Sequence, residues 1–209
     1  GIIAQTRFQE TQIRQFKKYQ VHVVSNIFES NSPQARELEV HEREYFLWVG
    51  SNSNRKRPEI FIELARQLPS FKFVMVYAKG DGSGNISQTD IPKNLTLIGQ
   101  LPRHQLFEHY ARSHALISTS RLEGFPNVFL ESWSTGTPVV SIDVDPDDVI
   151  ATHDLGNIVY SAPDLLAVCK SYKENMLKLK AKGENGLNYV NKYHGSKLVV
   201  QQLEQAFFN

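Results

Sequence analysis

The chain contains a single cysteine, Cys169, among 209 residues. One thiol cannot close an internal disulfide, so a hydrophobic core must hold the fold, and a reducing compartment is expected. Charge of one sign is also missing: 23 Lys and Arg stand against 22 Asp and Glu. A protein that neutralises nucleic-acid phosphates needs a basic excess or stripe, so nucleic acid is not an expected partner. There is no apolar run long enough for a membrane-spanning helix, and no secretory or lipidation signal. A cytoplasmic protein is expected, with peripheral membrane contact left open. The seven histidines are scattered, and His104, His109 and His114 drift around a helix without sharing a face. The loop Lys79 to Asn85 has glycines but no G-x-G-x-x-G, and it does not open a helix after the first strand, as a dinucleotide fingerprint would.

Short apolar runs do alternate with amphipathic stretches. Strands are expected at Gly1 to Thr6, Val21 to Val24, Tyr45 to Val49, Phe71 to Tyr77, Leu95 to Ile98, Ala115 to Ser118, Val139 to Ile142 and Asn157 to Tyr160. Helices are expected at Arg7 to Tyr19, where Phe8, Ile13 and Phe16 can form a buried face, at Pro58 to Leu68, and at Arg103 to Ser113. Further helices are expected from Val128 to Gly136, Asp164 to Lys182 and Glu184 to Phe208, with breaks near Gly183 and at His194-Gly195. The polar stretch Glu29 to Arg43 reads as a connector. This order predicts an α/β fold, a parallel sheet flanked by helices. Ligands of such sheets bind beyond the carboxyl ends of the strands.

At one such end lies Glu123-Gly124-Phe125-Pro126-Asn127-Val128, with Glu131 about one helical turn further on. Gly124 permits close approach of backbone to a ligand, Pro126 stiffens the turn, and Asn127 is a favoured N-cap. The helix start offers amides that suit a phosphate. Taken singly, these residues have plainer readings: a capping carboxylate for Glu123 and a solvated helix carboxylate for Glu131. Lys56, in the run Arg55-Lys56-Arg57, reads as a solvated lysine.

Together they resemble a known family. The segment from Ser120 to Glu131, followed by Gly136-Thr137-Pro138-Val139-Val140, is similar to the donor-binding motif of retaining GT-B glycosyltransferases of the family 4 type. Trp48-Val49-Gly50 with Lys56 and Pro58, then Leu97-Ile98-Gly99, Leu106, Tyr110-Ala111 and Gly156, follow in the family's order. The resemblance runs from Phe46 to the C-terminus and implies the Rossmann-like C-terminal half of a GT-B fold, part of a longer chain. Residues 1–30 would then be the end of an N-terminal domain and the link, 31–194 the donor-binding domain, and 195–209 a helix crossing back.

The resemblance also implies roles. Glu131 would accept hydrogen bonds from the donor's ribose. Glu123 would hold the donor sugar, aided by the backbone of Gly124, Phe125, Pro126, Asn127 and Val128. Lys56, near Gly50, would meet the leaving diphosphate, and Ile98, Gly99 and Leu101 would line the base. The family's arginine after the glycine is here Ser51, which removes a bidentate phosphate clamp, and Arg55 is the candidate to compensate. The acceptor, a glycan or lipid-linked molecule, would be held by the missing N-terminal domain at the inner face of a membrane. No cofactor is implied, and no metal is required. Asp143-Val144-Asp145 has the Asp-x-Asp form of metal-dependent transferases but reads as a turn at a strand end. Glu123 and Glu131 straddle a turn and a helix, unlike the paired carboxyls of a retaining glycosidase. The alternative is a non-catalytic nucleotide or carbohydrate binding module of the same fold.

Overall fold

The structure, a computed structural model, describes residues 1–16, 19–28, 40–78 and 91–208. Most of the expected connector and the glycine-rich loop from Lys79 lie outside the described residues. Six parallel strands form one sheet in the order β5-β4-β3-β6-β7-β8. They are β3 (Tyr45–Ser51), β4 (Lys72–Ala78), β5 (Leu95–Ile98), β6 (Ser113–Ser118), β7 (Val139–Ile142) and β8 (Gly156–Val159). A separate parallel pair, β1 (Ile2–Ala4) and β2 (Val21–Val23), is joined by α1 (Arg7–Phe16).

The strands alternate sides as the pleat requires. Phe46, Trp48, Phe73, Met75, Ala115, Ile117, Val140 and Ile142 face one apolar layer, with α2 (Pro58–Gln67) and α6 (Ala162–Glu174) over it. Tyr45, Leu47, Val74, Val76, Leu116 and Val139 face the other, covered by α3 (Arg103–Ala111) and α4 (Asn127–Trp133). Continuously apolar strands are what a sheet covered on both faces demands. Phe46, Leu47, Ile117 and Trp133 are fully buried, each contributing about 1.5–3 kcal/mol of transfer free energy.

The C-terminal part departs from the sequence expectation. No break occurs at Gly183: α7 (Met176–Tyr193) runs through it, and the break falls at Asn175, whose Oδ1 accepts from the amide of Lys178. Gly183 is needed for contact, because a Cβ there would stand 2.1 Å from the carbonyl oxygen of Gly136. α8 (Ser196–Phe208) follows, and the short α5 (Val149–Thr152) precedes β8.

Arg43, at the end of the expected connector, is buried instead of solvated. Its guanidinium lies under the amino ends of β6 and β7. It donates to Ser113 O at 2.9 Å, Thr137 Oγ1 at 3.1 Å and Gly136 O at 2.7 Å. Burial pulls its pKa down to about 10. The expected buried face of α1 is also corrected: the helix buries no residue, and Phe8 and Phe16 are exposed. α1 is held by polar contacts at its start. Its first amides, Arg7 and Phe8, donate to Asp147 Oδ2 and Oδ1 at 2.8 and 3.1 Å, supplying the acceptors that a helix N-terminus lacks.

Candidate functional site

Because all six strands are parallel, the loops after β3, β5, β6 and β7 leave the same edge of the sheet, and the predicted residues gather there. Hydrogen bonds lay β3 and the loop after it against the loop after β6. Trp48 Nε1 donates to Thr119 Oγ1 at 3.0 Å, the Thr119 hydroxyl donates to Lys56 O, and the Arg121 amide donates to Arg55 O at 2.9 Å. This brings Lys56 Nζ to 2.8 Å from Glu123 Oε1, and an Arg55 Nη to 3.1 Å from Oε2. The Lys56 contact is an ion contact off the axis of a hydrogen bond, so Oε1 is charge-paired while its directed hydrogen-bonding capacity stays unused. Lys56 and Glu123 are both largely buried, whereas Arg55 is about half exposed. Two cations therefore meet one carboxylate on strand-end loops that the chain separates by more than sixty residues.

The third cation of the run, Arg57, points elsewhere. It donates to Thr119 O, to Ser120 O at 3.2 Å and to Asp143 Oδ2 at 3.0 Å. Sequence reasoning did not single it out. Its backbone sits at φ 48°, in the left-handed region, which costs a non-glycine residue about 1–2 kcal/mol.

Glu131 lies on α4, and its Oε2 accepts from the hydroxyl of Tyr110 on α3 at 2.9 Å. Burial holds this carboxyl above the usual glutamate range, against the opposing effects of the Tyr110 hydrogen bond and the charge of Arg103. Nothing local in the sequence marks Tyr110 as its partner. Asn127 is not the N-cap. Pro126 takes that position, and the Asn127 side chain instead accepts from Asn26 Nδ2 at 2.8 Å. The same Asn26 amide reaches Phe125 O at 3.0 Å, so the link from β2 is fastened to the Glu123–Val128 turn. His194 fastens it from the other side, its Nδ1 donating to Asn26 O at 2.8 Å, with its ring 5.0 Å from that of Phe125. Gly50 and Ser51 form the last two residue pairs of β3 with β4, opposite Tyr77 and Ala78. Ile98 and Leu101 pack on the apolar layer at the end of β5, with open space where a side chain on Gly99 would stand.

A cleft of about 330 Å³ opens beside Glu123 and Gly124, walled by Thr6, Phe8 and the 143–148 loop. Gln5 and Gln9 lie directly over Gly124, where a Cβ would come within 2.8 and 2.5 Å of their side chains. The two aspartates of the Asp-x-Asp sequence face different partners. Asp143 meets Arg57, and Asp145 accepts from the amides of Ile150 and Ala151 at 2.8 and 3.1 Å. Among the described residues, no three His, Cys, Asp or Glu side chains are placed to hold a metal ion. Cys169 is buried in the core, and burial raises its thiol pKa. Among the described residues no helix is long and apolar enough to cross a membrane.

The profile of the family described as glycosyl transferases group 1 matches residues 31–176. No curated protein sequence matches. The fold is similar to that of TarM from S. aureus, solved as a point mutant with fondaparinux, α-GlcNAc-glycerol and UDP, at 18% identity and a TM-score of 0.83. That match covers 100% of this chain and 44% of TarM. HepE from Anabaena, solved with UDP and glucose, matches at 18% identity and TM-score 0.80 over 99% of this chain and 62% of its own. WaaG, a glycosyltransferase involved in lipopolysaccharide biosynthesis, matches at 17% identity and TM-score 0.76, over 99% of this chain and 62% of its own. The chain thus spans about half the length of the solved structures it matches.

Proposed function

The chain belongs to the glycosyl transferases group 1 family, and from that premise we propose that it is the donor-binding half of a retaining enzyme. That enzyme moves a hexose from a nucleoside diphosphate to a glycan or lipid-linked acceptor. Residues 31–194 bind the donor, while residues 1–30 and 195–209 join this unit to an N-terminal domain that holds the acceptor. A lipid-linked acceptor puts the reaction at the inner face of the membrane.

The observation that carries the reading is the meeting of Lys56 and Arg55 on Glu123 beside the cleft. In this arrangement the charges satisfy one another. When a donor enters, the cations turn to the diphosphate, and Glu123 accepts hydroxyls of the sugar. The bond from the anomeric carbon to the phosphate oxygen breaks as the acceptor oxygen bonds to the same face. The acceptor's proton passes to the departing diphosphate. Fixed positive groups in a site shielded from water stabilise the growing charge on that leaving group. Glu131, held by Tyr110, accepts the ribose hydroxyls, and Ile98 to Leu101 line the base. The nucleotide is UDP, as in the TarM and HepE complexes, and no metal takes part.

Thermal denaturation against UDP, GDP, ADP and their sugar conjugates tests this. A ligand at a hundred times its Kd stabilises by about 2.7 kcal/mol. We expect a rise with UDP compounds that is lost in Glu131→Ala and indifferent to magnesium. No rise with any of them, in the full-length protein as in this chain, rejects the donor site. A second reading, a non-catalytic binding module, is favoured by Ser51 at the position of the family's arginine. It is the one to keep if UDP binds and the full-length protein never cleaves a UDP-sugar.

A further inference from the structure

Three consecutive cations follow β3, and they divide between two tasks. Arg55 and Lys56 face Glu123. Arg57 faces the other way, with only 13% of its side chain exposed. Its guanidinium spans three acceptors: the carbonyls of Thr119 and Ser120 beyond the end of β6, and the carboxylate of Asp143 beyond the end of β7. An arginine here is unfavourable on backbone grounds. The residue stands at φ 48°, a conformation that glycine accepts without strain, and Pro58 follows it. Only a side chain that returns more than this strain makes an arginine advantageous. A planar fork reaching several oxygens on two loops is such a side chain, and a lysine, with one compact charge on a flexible stem, is not.

We infer that Arg57 is the positioning residue of this site. It clamps the 52–57 loop across the ends of β6 and β7, so that Lys56 and Arg55 are presented to Glu123 at a fixed distance. Arg57 itself contacts no donor. The clamp works with the shorter ties, Thr119 to Lys56 O and Arg121 to Arg55 O. Of these, the guanidinium alone reaches the β7 end. The functional part of the inference rests on the roles proposed above for Lys56 and Glu123. The clamp itself does not depend on a donor.

Two variants of the full-length protein test it, Arg57→Gly and Arg57→Lys. Glycine fits the backbone conformation, so if only the backbone of residue 57 matters, this variant loses nothing at the site. The first readout needs no ligand: the acetylation rate of Lys56 by acetic anhydride, measured by peptide mass spectrometry against the exposed Lys72. Release of the loop is expected to raise the Lys56 rate about tenfold relative to Lys72 in both variants, the equivalent of one charge-assisted hydrogen bond. The melting temperature of Arg57→Gly should stay within a few degrees of wild type. The second readout is titration with UDP and with uridine. UDP affinity should fall about tenfold, while uridine affinity, which involves no phosphate, should not change. An unchanged Lys56 rate in both variants overturns the clamp. So does a uniform acceleration of all lysines with a collapsed melting temperature, which marks a purely structural arginine. If wild type fails to bind UDP while Lys56 is still released in the variants, the donor reading fails and the clamp stands.

Discussion

Arg43 and Arg57 tie together the same two strands, β6 and β7, one at the amino ends and the other at the carboxyl ends. At the amino ends the acceptors are two carbonyls and a hydroxyl, and none is ionised. Burial without a carboxylate leaves Arg43 with its pKa pulled down to about 10. At the carboxyl ends Arg57 has a carboxylate among its acceptors, and its neighbours Lys56 and Arg55 share another. The difference separates support from function within one pair of strands. Neutral acceptors hold a buried cation permanently, because no ligand can reach it. At the open edge Arg57 stays on its two carbonyls and Asp143, whereas the proposed exchange of partners for a ligand's charges and hydroxyls falls to Lys56, Arg55 and Glu123 alone.

The comparison is broken most forcefully at the amino ends. Arg43→Met takes the guanidinium from the buried carbonyls of Ser113 and Gly136, at about 1–3 kcal/mol each, while the Thr137 hydroxyl keeps Thr135 and Tyr110 as partners. A loss of at least ~2 kcal/mol is expected, a fall of at least roughly 4–8 °C in Tm. UDP affinity of the protein still folded should not change. Chemical denaturation with a parallel UDP titration checks both halves, and a variant that melts normally but binds poorly would invert the assignment. Lys56→Ala should show the opposite pattern. Turnover of the full-length protein should fall about 10²-fold, the cost of removing one transition-state charge contact. Stability should fall by less than in Arg43→Met, by about 1 kcal/mol, because the largely buried Glu123 keeps Arg55 as a counter-ion. Steady-state kinetics beside a melting curve decides this.

The smallest effect concerns Glu131. Its carboxyl is held above the usual glutamate range, chiefly by burial, so the folded state binds a proton more readily than the unfolded chain. The stability this group contributes is complete below the ordinary glutamate pKa and is lost as pH rises through the raised value. Glu131→Gln keeps an acceptor for Tyr110 and cannot ionise. It should be slightly more stable than wild type near neutrality, with the advantage vanishing on acidification, while binding UDP less well. Melting curves over an acidic-to-neutral pH series test the sign.

Much of the carboxyl edge was legible in the sequence, and little of the amino edge was. The strands of the main sheet show as short apolar runs, and the helix over Pro58–Gln67 as a proline followed by apolar residues at helical spacing. The strand ends then locate Glu123 and Gly124, while Lys56, solvated in its own local reading, is singled out only by the resemblance to the family. Arg43 and Arg57 carry no such signal, because a charged residue between polar neighbours reads as solvated until the fold shows which carbonyls surround it. Arg57 meets its acceptors across 62, 63 and 86 residues of chain. Asn127 shows the same limit in reverse. Its preference for capping is local, but Asn26, 101 residues earlier, takes its side chain. Gly183 resembles a helix breaker in sequence, yet it is required by a contact with another element, which only packing reveals.

The fastening of α1 bears on the order in which the chain acquires structure. A ten-residue helix with no buried side chain has little stability of its own. Its cap, Asp147, lies 140 residues downstream of Arg7 and just beyond β7. That cap cannot form until the strands on which the 143–148 loop depends are in place, and closing so long a stretch is entropically slow. α1 is therefore among the last elements to form and among the first to open. Hydrogen exchange at the amides of Arg7 and Phe8 would report, from the opposite end of the sequence, whether the loop that walls the cleft is assembled.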